Sequence, residues 1–424
     1  MNKRYWLSQR ESEPSLNDHA VWYLLIARAL REVAFGVIAI ILPLYWHEQH
    51  VSALEIGALF TTALLGSSLI SLWIGRHVDH FGRRRLLMLS SLLWLVASPF
   101  LLVTREPLVL GAIIIFGSIS PTGKEIGLFL GIEQAMLSKL AKGHARTKTY
   151  AWFTLVGYVS TAAGALIAAL LGFGLGRNVE ISAELFRIIV LAYSGIALVQ
   201  LVLYAVIPRS VEQTRATSME GGDAERYRPR GEVRKVVTTL TALFSVDAFG
   251  SGLIVQGLLV YWFRVKFGFD LEQLGLLFFG TNLFSALSSL VAASISKRFG
   301  LLNTMVFTHL PSNVLLILVP FAPTGLLAAV ALLARHMLSQ MDVPTRQAYT
   351  MAIVDAQDRG YLATTTNAAR GLGTGASPLI AGLFLSNVAL FAYPFVIAGG
   401  LKAGYDVVIY AIFRKVPTPY SETQ

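Results

Sequence analysis

The chain has no cysteine in 424 residues and little charge: Asp, Glu, Lys and Arg make up 14% of it, where a soluble domain carries about 25%. Without cysteine there is no disulfide, no thiol nucleophile and no Cys-based metal site. A G-x-x-x-x-G-K-S/T phosphate loop is also missing, which argues against an ATP-driven pump. No Ser/His/Asp set and no metal-ligand cluster stands out, so enzyme, cofactor and metal are not expected. The stretch before Ala20 lacks the early apolar region of a secretory signal and is polar, with Lys3, Arg4, Arg10, Glu11 and Asp18. What is abundant is apolar: 54% of the residues, gathered in stretches near the ~20 residues that cross a bilayer. The net charge of +10 does not point to nucleic acid, because the basic residues fall between those stretches.

The pattern is that of an all-α polytopic membrane protein. Spans are predicted at 20–46, 52–75, 85–104, 107–133, 148–172, 184–207, 236–262, 272–295, 301–321, 324–345, 361–386 and 388–413. Alternate loops then sort by charge. One side receives more than twenty Lys and Arg, and the other only Arg105, Arg177, Arg187, Arg264 and Lys266. The positive-inside rule puts both termini in the cytoplasm, in an inner membrane. Residues 208–235 form the one long polar break, with Pro208, Gly221, Gly222 and Pro229. The organisation expected is a tail at 1–19, a six-helix bundle at 20–207, a linker at 208–235, a second bundle at 236–413 and a tail at 414–424.

The two halves repeat. Gly57–Gly82 aligns without a gap on Gly275–Gly300, and 10 of 26 positions are identical. Gln134–Leu170 aligns in the same way on Gln347–Leu383, with 9 of 37 identical. Apolar composition alone gives roughly one match in ten to twelve. Ala34-Phe35-Gly36 recurs as Ala248-Phe249-Gly250, and Tyr45-Trp46 as Tyr261-Trp262. Parallel repeats of six helices characterise one class of secondary transporter.

Between the second and third spans stands Gly75-Arg76-His77-Val78-Asp79-His80-Phe81-Gly82-Arg83-Arg84-Arg85. Its pattern, G-x-x-x-D-x-x-G-R-R-R, resembles the cytoplasmic loop between helices two and three of major facilitator superfamily transporters. The resemblance covers essentially the whole chain and implies two pseudo-symmetric six-helix bundles. It also implies a cytoplasmic latch made by Gly75, Asp79, Gly82, Arg83 and Arg84. The segment Met341–Tyr349, with Asp342, Pro344 and Arg346, is similar to one in bacterial members and looks like part of the same gate. Pro344 is expected to break or kink its helix, and Asp342 and Arg346 to pair if the helix resumes. The chain departs from the pattern at His80, where a basic residue usually follows the Asp, and at Lys297, where the second half would repeat it. The G-x-x-x-G-P-x-x-G-G pattern of many antiporters is missing from the fifth span. A looser version, Gly373-x-x-x-Ser377-Pro378-x-x-x-Gly382, falls on the eleventh.

Ionisable residues inside the apolar runs are costly and usually face a cavity or one another. Arg31 and Glu32 lie roughly 17 Å into the first span at 1.5 Å per residue, and Asp247 and Arg335 reach comparable depths. In the superfamily the first, fourth, seventh and tenth helices line the cavity. Arg31, Glu32, Asp247 and Arg335, with Arg370 and Asn367 on the eleventh span and the buried amides Gln256 and Asn282, are the candidate cavity residues. Glu32 or Asp247 would carry a proton, and Arg335 and Arg370 would hold an anionic group. A static Arg31–Asp247 pair is the alternative. Lys402 and Asp406, four residues apart, are expected to pair with each other.

The resemblance therefore implies a secondary active transporter. The expected partners are a small organic solute, protons as coupling ion, and the lipid bilayer. The excess of internal Arg hints that the solute is anionic. Export is preferred, and a monomer is expected. A sensor that keeps the fold without transport, and a facilitative or uptake carrier, are the alternatives.

Overall fold

A computed structural model describes residues 19–104, 106–125, 128–140, 143–176, 180–208, 231–355 and 357–415. Most of the proposed tails and of the proposed linker lies outside the described residues. Within them the chain is helical and has no strand. Twelve rods follow one another. The first six are α1 (His19–Glu48), α2 (Ala53–Phe81), α3 (Arg83–Ala97), the broken pair α4 (Pro107–Phe116) and α5 (Leu128–Leu140), α6 (Gly143–Leu175) and α7 (Ala183–Val206). The second six are the broken pair α8 (Gly231–Leu253) and α9 (Gln256–Phe267), α10 (Leu271–Phe299), α11 (Leu301–Leu318), the broken pair α12 (Gly325–Ser339) and α13 (Asp342–Ala352), α14 (Arg359–Leu385) and α15 (Tyr393–Phe413).

Nine helical segments among the described residues are long and apolar enough to cross a membrane by length and composition. The remaining three rods are the more polar or interrupted ones: α1 with Arg28, Arg31 and Glu32, the broken α4–α5, and α14 with its Gly, Thr and Arg. Twelve crossings return the chain to the side from which it began, here called the terminal face.

The repeat is written into the helix ends. Ser52 caps α2 reciprocally with Glu55, and Asp270 caps α10 reciprocally with Gln273, two capping boxes at equivalent places in the halves. Both helices end on a glycine in the same left-handed backbone, Gly82 at φ 83° and Gly300 at φ 81°. A side chain there is strained. These caps fix where the second and eighth rods start and stop.

The halves meet along two symmetry-related seams, α2 on α14 and α10 on α6. Small residues let the backbones touch, as in membrane helix pairs generally. Gly57 packs on the Pro378 carbonyl and Gly382, and Gly275 packs on Ala169. Both contacts lie toward the face opposite the termini. There α9 adds a backbone hydrogen bond, Gly257 N–H to the Pro121 carbonyl at 2.8 Å, and His47 stands edge-on to Tyr261. The halves are thus sealed on the face opposite the termini.

The break expected from Pro344 is present one turn before it, where Pro344 has no N–H for the Gln340 carbonyl and its ring crowds that carbonyl. The interruption falls at Gln340–Met341, and Pro344 sits in the first turn of α13. A missing N–H costs nothing there, since the first N–H groups of a helix have no partner within it.

Candidate functional site

The fourth, seventh and tenth rods are each interrupted near mid-length, and the interruptions face one another across the halves. Backbone that leaves the helix inside a membrane must line a cavity or be buried in protein. A cavity of about 290 Å³ lies here, between the seal and the terminal face. Its charged lining is Lys124 from the first half and Asp247, Arg335, Asp342, Arg346, Arg370 and Lys402 from the second. That is five cations against two carboxylates. Gln256, Asn282, Ser251, Thr281 and Ser339 add polar groups, and Leu259 and Phe278 apolar ones.

Asp247 organises the second half. It is almost fully buried on α8. Its Oδ1 accepts from Lys402 Nζ at 2.7 Å, and its Oδ2 from Arg370 at 2.9 Å and Arg346 at 3.3 Å. Arg346 also binds Asp342 at 2.5 Å, within one turn of α13. His309 stands between two acids: its Nδ1 is 2.9 Å from Asp406, and its Nε2 is 3.9 Å from Asp247. Asn313 donates to the other oxygen of Asp406 at 2.9 Å. The Lys402–Asp406 pair suggested by spacing is therefore replaced by two separate partnerships, Lys402 with Asp247 and Asp406 with His309. Side chains four apart share a helix face, but denser partners on neighbouring rods outcompete the local contact.

The first half holds a second network, behind the cavity wall. Arg31 is fully buried and pairs with Glu125. It also grips Glu133 through both terminal nitrogens, at 3.1 and 2.6 Å. Tyr204 donates to Glu133 at 2.6 Å, and Gln200 lies 3.3 Å from Arg31. Glu32 pairs with Arg28 at 3.2 Å and accepts from Thr161 and the Glu125 N–H. Three carboxylates are thus in contact with two guanidiniums. A void of about 30 Å³ touches Glu125, enough for a water or two.

The structure brings Asp247, Gln256, Asn282, Arg335 and Arg370 to the cavity, and adds Asp342 and Arg346, which the sequence placed with a gate. It sets Arg31 and Glu32 in the first-half network and forms no Arg31–Asp247 pair. Asn367 is exposed on α14, outside the cavity. Among the loop residues, Gly82 makes the turn, Arg83 donates to the Ala135 carbonyl, and Arg84 donates to the carbonyls of Tyr204 and Ala205 at the end of α7. These contacts stay inside the first half. Gly75 is exposed with open space around it. The Asp79 side chain lies outside the described residues.

Sequence reasoning does not single out Lys124, Glu125, His309 and Lys402 for the site, and treats the neighbourhood of Glu133 only as a mark of the repeat. One signal was available: the alignment that sets Gln134 on Gln347 also sets Glu133 on Arg346. Both prove to be buried members of a charge network.

A family model described as the Major Facilitator Superfamily matches residues 24–334 and 240–424. An uncharacterised membrane protein of Saccharomyces cerevisiae, YJR124C, is 26% identical over 414 residues, covering 91% of this chain and 92% of its own. The crystal structure of the nucleoside transporter NupG superposes with a TM-score of 0.71 at 12% identity, covering 93% of this chain and 99% of that one. A D-xylose–proton symporter superposes with a TM-score of 0.68 at 16% identity, covering 95% and 99%. At these identities the two structures speak for the fold alone.

Proposed function

The chain belongs to the major facilitator superfamily, and we propose that it is a secondary carrier for a small organic anion, driven by protons through alternating access. The cavity's charge carries this reading. Five cations and two carboxylates converge in a space of about 290 Å³ between the halves, at the lower end of the size range of small-molecule sites. A cleft of one dominant sign inside low-dielectric walls concentrates counter-ions, and guanidinium groups are matched to carboxylates and phosphates.

With the basic loops and termini in the cytoplasm, the seal is external and the cavity belongs to an inward-open state. Rocking the halves about their two glycine-lined seams would exchange the access side. Protons have a place in the first half, where Glu32, Glu125 and Glu133 share Arg28 and Arg31. One more proton there would balance the contacts, and the small void beside Glu125 supports access by water. Export fits the energetics. An inside-negative potential favours outward anion movement by ~2.3 kcal/mol per charge per 100 mV, and inward proton movement likewise.

Reconstitution of the full chain in liposomes tests the proposal. Labelled mono- and dicarboxylates, sulfonates and sugar phosphates are offered against uridine and xylose as neutral controls. The expected result is saturable movement of an anion, accelerated by an imposed pH gradient and abolished by Arg335→Gln. Faster movement of a neutral control than of every anion refutes the anion reading. Anion flux indifferent to the pH gradient refutes the coupling.

A further inference from the structure

Most charges around the cavity are matched. Arg346, Arg370 and Lys402 all touch Asp247. Two cations are not. Arg335 on α12 is 7% exposed, its Nε is buried without a hydrogen-bond partner, and no carboxylate among the described residues lies within ion-pair distance. Lys124 lies in the break between α4 and α5, and its ammonium rests 4.4 Å from the centre of the Tyr158 ring with no acceptor among the described residues. The carboxylate that Lys124 senses most, Glu32, is held by Arg28. Lys124 and Arg335 belong to opposite halves, line the same cavity and repel each other. Around them stand further unfilled groups: the Gln256 amide nitrogen and the Ser339 hydroxyl are both buried without partners.

A buried donor without a partner costs free energy, and two like charges with no counter-charge in contact cost more. Such an arrangement persists where a ligand completes it. We infer that Lys124 and Arg335 form a two-sided clamp in which the carboxylate or phosphate group of the substrate bridges the halves, so that the loaded carrier closes and the empty one is held open. This rests on reading the cavity as an anion site, and adds to it which cations meet the anionic group and what that contact does. The three cations on Asp247 are then structural, and selectivity lies with the two free ones. A neutral analogue fits the space but leaves the repulsion in place. Loaded transit also outpaces empty return, so exchange of labelled for unlabelled anion runs faster than net flux.

The clamp is tested by distance, without knowing the substrate. The chain has no cysteine, so cysteines at exposed Arg85 on α3 and Lys297 on α10 take spin labels uniquely. Both mark the terminal face, one on each half. In sodium chloride the purified full chain is expected to show mainly the long distance. Lys124→Gln or Arg335→Gln removes the repulsion and raises the short-distance fraction, by on the order of tenfold in the ratio for unit charges at an effective dielectric near 20. Lys124→Arg keeps the charge and leaves the distribution as in the parent, which separates electrostatics from damage to the fold. Inorganic phosphate, succinate and benzenesulfonate are the probes for bridging, and at least one should shorten the distance in the parent and none should move the Gln variants further. Distances unmoved by both Gln substitutions, or by all three anions, overturn the clamp. Flux and distance fail separately: shifted distances without anion transport keep the clamp and remove the carrier, while anion transport with fixed distances does the reverse.

Discussion

The seal between the halves makes a quantitative prediction about the conformational equilibrium. A methyl group on Gly57 would come within 2.4 Å of the Pro378 carbonyl oxygen and 3.0 Å of the Gly382 Cα. A methyl group on Gly275 would come within 2.3 Å of the Ala169 nitrogen and 2.6 Å of its Cα. The obstructing atoms are backbone, so no rotamer change relieves them and the helices must separate. Overpacking of this kind costs about 1–3 kcal/mol. The gain in helix propensity from Gly→Ala, about 1 kcal/mol, is common to both conformations and does not shift their ratio. Each substitution should therefore move the equilibrium about 5- to 150-fold away from the state sealed opposite the termini. The two seams share no residue, so the double variant should add the effects. A single cysteine at Asn282, on the cavity wall, reports the change through its rate of reaction with a membrane-impermeant maleimide applied on the face opposite the termini. Gly195, with open space around its Cα, supplies the control. Labelling of Gly57→Ala and Gly275→Ala at the rate of Gly195→Ala would refute the claim that these contacts hold the face shut.

Three further outcomes follow from the charge networks. Asp247→Asn strands Lys402 and Arg370 and leaves Arg346 to Asp342 alone and should cost about 3–5 kcal/mol, seen as a lower melting temperature in detergent; adding Lys402→Met should restore part of it, and a double variant no more stable than the single one would contradict the pairing. Arg31→Met leaves Glu125 and Glu133 without their guanidinium and should cost a similar ~3–5 kcal/mol, with Arg31→Lys a poor rescue because an ammonium cannot reproduce the two-point grip on Glu133; full stability of the Lys variant would refute this. Asn367→Ala should leave transport and melting unchanged, since the side chain is exposed outside the cavity, and a loss of flux in the liposome assay would return that residue to the site.

The architecture was legible because membrane helices obey two strong rules, apolar length and loop charge, and because the halves repeat in register. The two gapless alignments even anticipate the seams. They carry Gly57 to Gly275 and Ala169 to Gly382, and these four residues make the two symmetry-related contacts. The depth of Asp247, Arg335 and Arg370 was equally readable, and all three reach the cavity. Partners were not readable. Depth fixes a residue's height in the bilayer but not its azimuth, so Arg31 and Glu32, adjacent in sequence, turn to different carboxylate and guanidinium partners inside the first half. The break in the tenth rod was signalled by Pro344, and those in the fourth and seventh were not read. Ile254 and Val255 interrupt the seventh rod between Gly252 and Gly257, and there α9 packs against the first half, with the Gly257 N–H donating to the Pro121 carbonyl.

The repeat also explains why the cations that line the cavity come mostly from one half. On corresponding rods the first half joins its first and fourth by Arg31 and Glu133, and the second joins its seventh and tenth by Asp247 and Arg346. The brace is the same and the signs are exchanged, with Glu133 and Arg346 in one register. Each half then adds charges of the sign its fourth-position rod contributes: Glu125 joins Glu133 around Arg31, whereas Lys402 and Arg370 join Arg346 around Asp247. Duplication followed by reversal of one ion pair is enough to give an acid-rich half facing a base-rich half, the asymmetry on which the proposed function draws. Lys124 is the exception that links them, a cation of the acid-rich half set in the wall of the cavity. If the proposed anion binds there, its charge would touch both halves at once, which is the condition for binding at one site to bias the motion of the whole pair.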